Sequence, residues 1–183
     1  MSTRRRGSRS AGLAVVRGIS AFKRWSYRGD RPNTFMRLVN RLDAVLYRFG
    51  WSAPRQGAVL TVVGRRSGKP TPVPVAIAQH EGAGYLVSML GPDANWVRNV
   101  RAAGGQAVLL RRGREIPVTL EEIPPEHRAE ILRRYLAIAP GARPHLGLQP
   151  TAPLERFRRI AHRHPVFRIV ETRFRPGGRR RTR

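Results

Sequence analysis

The sequence predicts an α+β protein, a six-stranded antiparallel split β-barrel flanked by helices. Short β-branched or alternating runs recur through the middle of the chain, at 58–63, 72–79, 84–90, 106–111 and 114–123. Glycine-containing turns separate several of these runs, and short loops between successive strands require antiparallel neighbours. A meander of this kind tends to curl into a barrel. Helical patterns stand between and after the runs, which places helices across the barrel.

The helices follow from apolar periodicity and from start and stop signals. Residues 92–105 are too long for a hairpin and predict a short helix, with Asp93 or Asn95 as its cap and Gly104 as its stop. Residues 124–141 begin with proline, carry an acid in the first turn and end at glycine, which is typical of a helix. Residues 151–164 predict another helix, and 165–172 the closing strand.

The 183 residues are expected to form one domain with two basic ends. We assign 1–31 to a basic extension, 32–172 to the barrel domain and 173–183 to a disordered basic tail. The net charge is +25, and residues 1–31 contribute nine cations against one acid. Residues 156–183 carry eleven arginines against one acid, so most of the excess charge lies near the ends. The arms are either solubilising tails or segments that dock on an anionic surface.

Composition excludes several classes of protein. The chain has no cysteine, which removes disulfides, thiolate catalysis and cysteine metal sites. No apolar run reaches the ~18 residues of a membrane span. The N-terminus lacks the continuous apolar stretch of a signal peptide, so a cytoplasmic location is expected. The sequence also shows no metal-binding helix motif and no nucleophile elbow, so we predict no metal site.

The end of the extension has the composition of a membrane-surface helix. Apolar residues fall at helical spacing between 15 and 22, aromatic residues follow at 25 and 27, and basic residues stand among them. This segment either lies on the inner face of an anionic membrane, as a peripheral contact, or packs on the domain itself. A second helix is predicted at 34–49, with Thr34 as its cap.

Prolines interrupt the second strand in a regular way. Backbone N–H groups alternate between the two edges of a strand, so Pro72 and Pro74 remove donors from the same edge. That edge cannot form a full ladder, whereas the N–H groups of Val73 and Val75 remain available on the other edge. The sequence therefore predicts a barrel that is split along this strand and presents a backbone groove.

The turn before this strand is cationic and rich in glycine. It offers Arg65, Arg66 and Lys69, the Ser67 hydroxyl and backbone N–H groups near two glycines. Charge-assisted bonds to a phosphate are worth ~1.5–3 kcal/mol each. We expect an anion at the turn and a flat apolar body in the split. The spacing matches neither a P-loop nor the dinucleotide fingerprint.

Residues 58–170 closely resemble the deazaflavin-dependent nitroreductase family, most strongly at "GRRSGKPTPVP" (64–74) and "NWVRNVRA" (95–102). These are largely actinobacterial split-barrel oxidoreductases that use coenzyme F420. The resemblance implies that the turn binds the phosphate and acidic tail of the coenzyme. Part of the second strand would lie under its ring system, and the next loop would cover it. Three residues of the helix that begins near 95 would orient or support that helix beside the coenzyme. The implied residues are Gly64, Arg65, Arg66, Ser67, Gly68 and Lys69; Val73, Pro74, Val75 and Ala76; Ser88, Met89, Leu90 and Gly91; and Asn95, Trp96 and Asn99.

Two departures from the family concern the acceptor. Nitroimidazole-reducing members carry a tyrosine-rich stretch where this chain has "AIAPGARPHLGL" (137–148), without tyrosine. The family's lysine after the third strand has no clear counterpart in "SMLGPDANW" (88–96). The expected reaction is hydride transfer from F420H2 to a quinone-like or other conjugated apolar small molecule. Tyr135 or His145 are candidate proton donors.

Alternatives remain open at the level of sequence. Trp96 either contacts the rings or anchors its helix in the core, and Arg98 and Arg101 are expected to face solvent. The groove would also suit FMN, or the chain could be a non-enzymatic basic binder of nucleic acid or membrane. No specific nucleic acid is expected, because charge is concentrated in the arms and the strands lack interleaved aromatic and basic residues. By analogy with related split barrels, a homodimer is an open possibility.

Overall fold

A computed structural model describes residues 56–172, which include all six predicted strands. The predicted extension at 1–31, the helix at 34–49 and the tail at 173–183 lie outside the described residues. The strands close into a barrel in the order β1-β2-β3-β6-β5-β4, and every pair is antiparallel. Their bounds are Gly57–Val63 for β1, Pro70–His80 for β2, Ala83–Val87 for β3, Gln106–Arg111 for β4, Arg114–Glu122 for β5 and Val166–Glu171 for β6.

The helices lie between strands β3 and β4 and between strands β5 and β6. They are α1 (Asn95–Ala102), α2 (Ala129–Ile138), α3 (Arg143–Leu146) and α4 (Leu154–Ile160). The segment predicted as one helix over 124–141 is α2 flanked by 3-10 turns at Pro125–His127 and Pro140–Ala142. Another 3-10 turn, Ala161–Arg163, follows α4. The predicted six-stranded antiparallel barrel flanked by helices is confirmed.

Two apolar clusters hold this fold together. The interior cluster joins inward-facing side chains of the strands, including Leu60, Ile77 and Phe167, to Val97 and Val100 of α1. Alternation along the strands places the other side chains on the outer face. There, α2 covers β2 and β3 and α4 packs against α2, with Leu132, Leu136 and Phe157 fully buried. Helix α1 therefore packs against the barrel interior, beside the cationic turn that joins β1 to β2.

The barrel is a complete circuit of paired strands, and its split lies within β2. Residues 70–76 pair with β1, whereas β2 pairs with β3 only over 77–80. The Ile77 N–H donates to the Gln56 carbonyl at 2.9 Å, so odd-numbered residues of β2 direct their N–H groups towards β1. Pro72 and Pro74 consequently lie on the opposite edge, as predicted. Among the described residues, no strand pairs with that edge over 70–76.

Two boundaries differ from the sequence prediction. The third strand ends at Val87 rather than at residue 90, because residues 88–91 form a turn in which the Gly91 N–H donates to the Ser88 carbonyl at 3.3 Å. The predicted N-caps of α1, Asp93 and Asn95, are wrong. Ala94 occupies the N-cap position, no side chain caps the helix, and Asn95 instead accepts a hydrogen bond from Arg65.

Two adjacent glycines after α1 allow a matched test of the packing between α1 and β5. Both have positive φ, +61° at Gly104 and +81° at Gly105. A Cβ at Gly105 would lie 2.6 Å from the Leu120 carbonyl oxygen, whereas one at Gly104 meets nothing within 4 Å. We expect Gly104→Ala to cost about 1 kcal/mol through backbone strain alone and Gly105→Ala at least about 3 kcal/mol. Urea unfolding measures both, and equal costs would contradict the packing described here.

Candidate active site

The β1–β2 turn is held by its own backbone. The Gly64 N–H donates to the Lys69 carbonyl and the Gly68 N–H to the Gly64 carbonyl, both at 2.8 Å. Ser67 Oγ accepts from the Lys69 N–H at 3.2 Å. A Cβ on Gly64 would lie 2.6 Å from Ser67 Oγ, and Gly68 has a φ of +64°, so the turn requires both glycines. This leaves the side chains of Arg66 and Lys69 exposed to solvent.

Arg65 fixes the turn to helix α1. Its guanidinium Nη1 donates to Asn95 Oδ1 at 2.6 Å and to Asn99 Oδ1 at 2.9 Å. The Arg65 backbone N–H also donates to Asn99 Oδ1, at 3.2 Å. Asn99 is buried, whereas Asn95 is exposed, and the two lie one helical turn apart on the same face. Arg65 is therefore a positioning residue that sets the turn against the end of the barrel.

Over 70–76 the edge of β2 that faces away from β1 pairs with no strand among the described residues, and we call the region along this edge the gap. Val73 and Val75 belong to the interior cluster, whereas Ala76 belongs to the outer cluster. Pro74 alternates with them and shares the outer side with Ala76. The four residues predicted to floor a ring system are thus divided between two faces. A ligand in the gap would meet the backbone edge and the side chains of one face.

The loop at 88–91 follows β3, the strand that pairs with β2 over 77–80, next to the gap in sequence register. Continuing the β2–β3 register, in which Ile77 opposes Leu86, would place Ser88 opposite Val75 and Gly91 opposite Pro72. The loop leaves this register because the Gly91 N–H donates to the Ser88 carbonyl and closes a turn. Ser88 Oγ donates to the Gly91 carbonyl at 2.7 Å, which keeps the loop compact. Met89 packs against the outer cluster, and Leu90 points into solvent.

Two residues that sequence reasoning missed support this loop from behind. His164 is buried, and its Nδ1–H donates to the Ser88 carbonyl at 3.1 Å. Arg128 is also buried and donates to the carbonyls of Ile123, Ala161 and His164, at 2.6, 3.2 and 3.4 Å. Nothing in the spacing of the "HRH" stretch (162–164) reveals that His164 turns inward.

An ion-pair network ties α1 to the same support. Arg101 makes two bonds to Glu122, at 2.9 and 2.8 Å, and Arg128 reaches Glu122 at 3.2 Å. The hydrogen bonds from Arg101 lower the pKa of Glu122, while burial of Arg128 lowers the pKa of its guanidinium. Arg98 pairs with Asp93 at 2.6 Å. Arg98 and Arg101 are exposed to solvent, as expected, and both also take part in ion pairs.

The remaining predicted residues have clear positions. Trp96 is half-buried against the interior cluster, with its ring 5.4 Å from that of Phe167, which supports its role as a helix anchor. Tyr135 is 2% exposed inside the outer cluster, and burial raises the pKa of its hydroxyl, so the phenol stays protonated at neutral pH. His145 is exposed on α3. Neither arrangement assigns a proton-donating role.

The site as a whole is an exposed cationic turn next to the unpaired edge of β2. Residues 36–144 match the model of a protein family described as F420H(2)-dependent quinone reductase, which covers more than half of the chain. The chain belongs to this F420H2-dependent quinone reductase family. The membership identifies the protein as an F420-dependent oxidoreductase and confirms the coenzyme and the type of family that the resemblance predicts.

Solved structures show more distant similarity to the chain. A structure of an F420-H2 dependent reductase, FDR-A, is 22% identical, with 63% of this chain and 95% of that chain covered and a TM-score of 0.46. A conserved hypothetical protein from Mycobacterium tuberculosis is 16% identical, covering 72% and 81%, with a TM-score of 0.44. A putative pyridoxamine 5'-phosphate oxidase from Listeria innocua is 17% identical, covering 74% and 94%, also at 0.44. No curated protein is similar enough to count as a match.

The residues present fit the chemistry of this coenzyme. F420 carries a phosphate and an acidic tail, which suit exposed cations and backbone N–H groups in a glycine turn. Arg66, Ser67 and Lys69 supply these groups, with no acidic side chain between Arg65 and Thr71. Its flat ring system suits a groove whose wall is a strand edge. In this protein, Arg66, Ser67 and Lys69 would hold the tail of F420, and the 70–76 edge and the 88–91 loop would border its rings.

Asn99 and Asn95 offer a matched pair for testing the turn. Asn99→Ala removes two hydrogen bonds to Arg65 at a buried position, so we expect it to destabilise the protein by about 2–3 kcal/mol and to weaken F420 binding at least about tenfold. Asn95→Ala removes one exposed bond and should cost less than about 1 kcal/mol. Urea unfolding and fluorescence titration of F420 measure the two effects. Equal behaviour of the two variants would contradict the assignment of Asn99 as the main brace.

His164 predicts a pH dependence of stability. Burial lowers the pKa of His164 below its ordinary value of 6.5, and the positive charges of Arg163, His162 and His145 add to this, although the bond to Ser88 opposes them. Between the folded and unfolded pKa values the unfolded chain binds more protons. Stability should therefore fall as pH decreases below about 6.5.

His164→Asn keeps an N–H donor for the Ser88 carbonyl but does not titrate, so the decrease in Tm between pH 7 and pH 5.5 should become shallower. His127→Asn, at an exposed position on a 3-10 turn, is the matched control and should leave that slope unchanged. Thermal unfolding across this pH range measures both. A slope that is the same in wild type and His164→Asn would show that His164 does not cause the dependence.

Proposed function

We propose that this protein transfers a hydride from F420H2 to a quinone-like or other conjugated apolar acceptor, with the coenzyme bound between the β1–β2 turn and the 88–91 loop. The family match supplies the coenzyme and the class of reaction. One observation supports the location: the proline edge of β2 is unpaired among the described residues directly beside an exposed cationic turn. The family match also favours F420 over the FMN alternative.

Binding in this proposal begins at the turn. Charge-assisted hydrogen bonds are worth about 1.5–3 kcal/mol each, so Arg66 and Lys69 together with the Ser67 hydroxyl would hold the anionic tail. Arg65 contributes indirectly, because its guanidinium is already bonded to Asn95 and Asn99. Burial of the ring system in the gap adds the remaining affinity.

Along much of the unpaired edge of β2, the backbone offers hydrogen-bond acceptors but no donors. A strand residue directs its N–H and its carbonyl to the same edge, so the carbonyls of Pro72 and Pro74 face the gap, and neither residue has an N–H. Such an edge favours a ring that carries N–H groups and orients it against the strand. The 88–91 loop would border the opposite side, and the interior-facing side chains of Val73 and Val75 make the gap apolar, which suits a conjugated acceptor stacked on the rings.

The chemical step belongs to the coenzyme: bound F420H2 supplies the hydride from its deazaflavin ring. The protein's part is to hold the rings at one edge, to leave one ring face open to the acceptor and to limit water around it. A reduced quinone takes its proton from water that reaches the exposed gap. The proposal therefore needs neither Tyr135 nor His145 as a proton donor.

Two expectations about location and assembly belong to this proposal. The basic amphipathic segment near the N-terminus would meet an anionic membrane, where a lipid-soluble acceptor is found, and a homodimer follows by analogy with related barrels. The segment lies outside the described residues. No helix among residues 56–172 is long and apolar enough to cross a membrane.

Two hairpin turns of similar composition test the proposal. Arg66→Glu with Lys69→Glu should weaken F420 binding at least about 100-fold, since two charge-assisted bonds are lost and each 1.4 kcal/mol is tenfold. Arg112→Glu with Arg114→Glu makes the same change of charge at the β4–β5 turn, at the other end of the barrel, and should change the affinity less than about threefold. Fluorescence titration of F420 measures both.

The matched control distinguishes a site from general attraction. If both double variants weaken F420 binding equally, the coenzyme responds to net charge and the turn is not its site. If neither does, the location proposed here is wrong. Turnover with a menaquinone analogue then tests the acceptor separately, because binding of F420 without quinone reduction would reject the acceptor and retain the coenzyme site.

A further inference from the structure

Helix α4 carries a row of arginines that the proposed reaction does not use. Arg156, Arg159 and Arg163 follow at spacings of three and four, which places them on one flank of α4 and its 3-10 extension. All three are exposed. Arg158 pairs with Glu155 at 3.2 Å, whereas Arg156 and Arg159 have no acidic partner among the described residues. We call Arg156, Arg159 and Arg163 the arginine flank.

The flank begins at a polar cleft. A cleft of about 490 Å³ lies between α3 and α4, and Arg143 and Arg156 line it together with Gln149 and Thr151. Two guanidinium groups, an amide and a hydroxyl are suited to a phosphate group. The acid nearest in sequence, Glu155, is paired with Arg158.

The other end of the flank meets an exposed apolar side chain. A Cβ on Gly91 would lie 3.3 Å from the Arg163 carbonyl oxygen, so the 88–91 loop packs directly against the end of the flank. Leu90 in that loop is 63% exposed, and it is the one large hydrophobic side chain exposed among the described residues. A row of cations that ends at a protruding leucine, without acidic partners among the described residues, is the arrangement of a surface that meets both headgroups and acyl chains.

We propose that the arginine flank and Leu90 dock on an anionic lipid bilayer, with a lipid phosphate in the cleft at Arg143 and Arg156 and Leu90 inserted among the acyl chains. This surface is separate from the N-terminal segment. A nucleic acid would explain the cations but would gain nothing from Leu90, and no Phe, Tyr or Trp ring for base stacking is exposed among the described residues. The inference rests on the proposed function, because docking would bring the gap to the membrane surface, where an apolar acceptor partitions.

A probe at Leu90 tests docking without coenzyme. The chain has no cysteine, so Leu90→Cys in the full-length protein can be labelled uniquely with an environment-sensitive fluorophore. Vesicles of phosphatidylglycerol and phosphatidylcholine should shift its emission to the blue, vesicles of phosphatidylcholine alone should not, and lipids with a quencher in the acyl chain should reduce its intensity. Glu115→Cys, exposed near the β4–β5 turn, is the matched control and should show neither effect.

Charge reversal tests the flank. In the labelled protein, Arg156→Glu with Arg159→Glu should reduce the vesicle affinity reported by the Leu90 probe at least about tenfold, since each arginine near an anionic surface contributes about fivefold. Arg112→Glu with Arg114→Glu should reduce it less than about threefold. Free phosphate up to millimolar concentration should leave the probe unchanged, which distinguishes a bilayer from a soluble anion.

Four outcomes would overturn the proposal. The probe could stay unchanged with anionic vesicles, or both labelled positions could respond alike, as expected if only the basic arms adsorb. The probe could instead respond to free phosphate alone, or to duplex DNA in preference to vesicles. None of these measurements requires catalysis, so a failure of docking would leave the proposed reaction standing, and a failure of F420 binding would leave docking standing.

Discussion

Prolines at alternate positions of β2 prevent one edge of that strand from carrying a ladder, and the arrangement of the site depends on this constraint. Pro72 and Pro74 face away from β1 and have no N–H, so β3 joins β2 only from residue 77 onwards. Strand β3 pairs with β6 over 85–87 and ends at Val87, so it does not extend along residues 70–76 of β2. The circuit of strands still closes, so the protein keeps the stability of a barrel while it exposes a backbone edge beside the turn.

Interactions between residues that are far apart in the sequence hold the turn and the 88–91 loop in place. Arg65 binds the turn to α1 through Asn99, and Glu122 binds α1 to Arg128. Arg128 holds the segment that ends at His164, and His164 holds Ser88. Buried polar groups of this kind are costly unless they are fully bonded, so each member restricts the others to one arrangement. The turn and the 88–91 loop are consequently positioned next to the gap by one connected set of hydrogen bonds.

Local signals explain what the sequence predicted and what it did not. Alternation and turn glycines located all six strands, and the spacing of Pro72 and Pro74 located the unpaired edge. The bracing role of Arg65 was missed, because an arginine in a basic turn looks the same whether it faces an anion or the Oδ1 of Asn99, 34 residues away. His164 and Arg128 were missed for the same reason: their partners are backbone carbonyls brought close only by the fold. The prediction of Asn95 as the N-cap of α1 was wrong, because its side chain bonds to Arg65 instead.

The most direct test of the account is amide hydrogen exchange of the full-length protein with and without F420. If the coenzyme lies between the turn and the loop, exchange should slow at 64–69 and at 88–95 and stay unchanged at 111–116, at the opposite end of the barrel. Protection at 111–116, or no protection at 64–69 when F420 is saturating, would contradict the placement of the coenzyme.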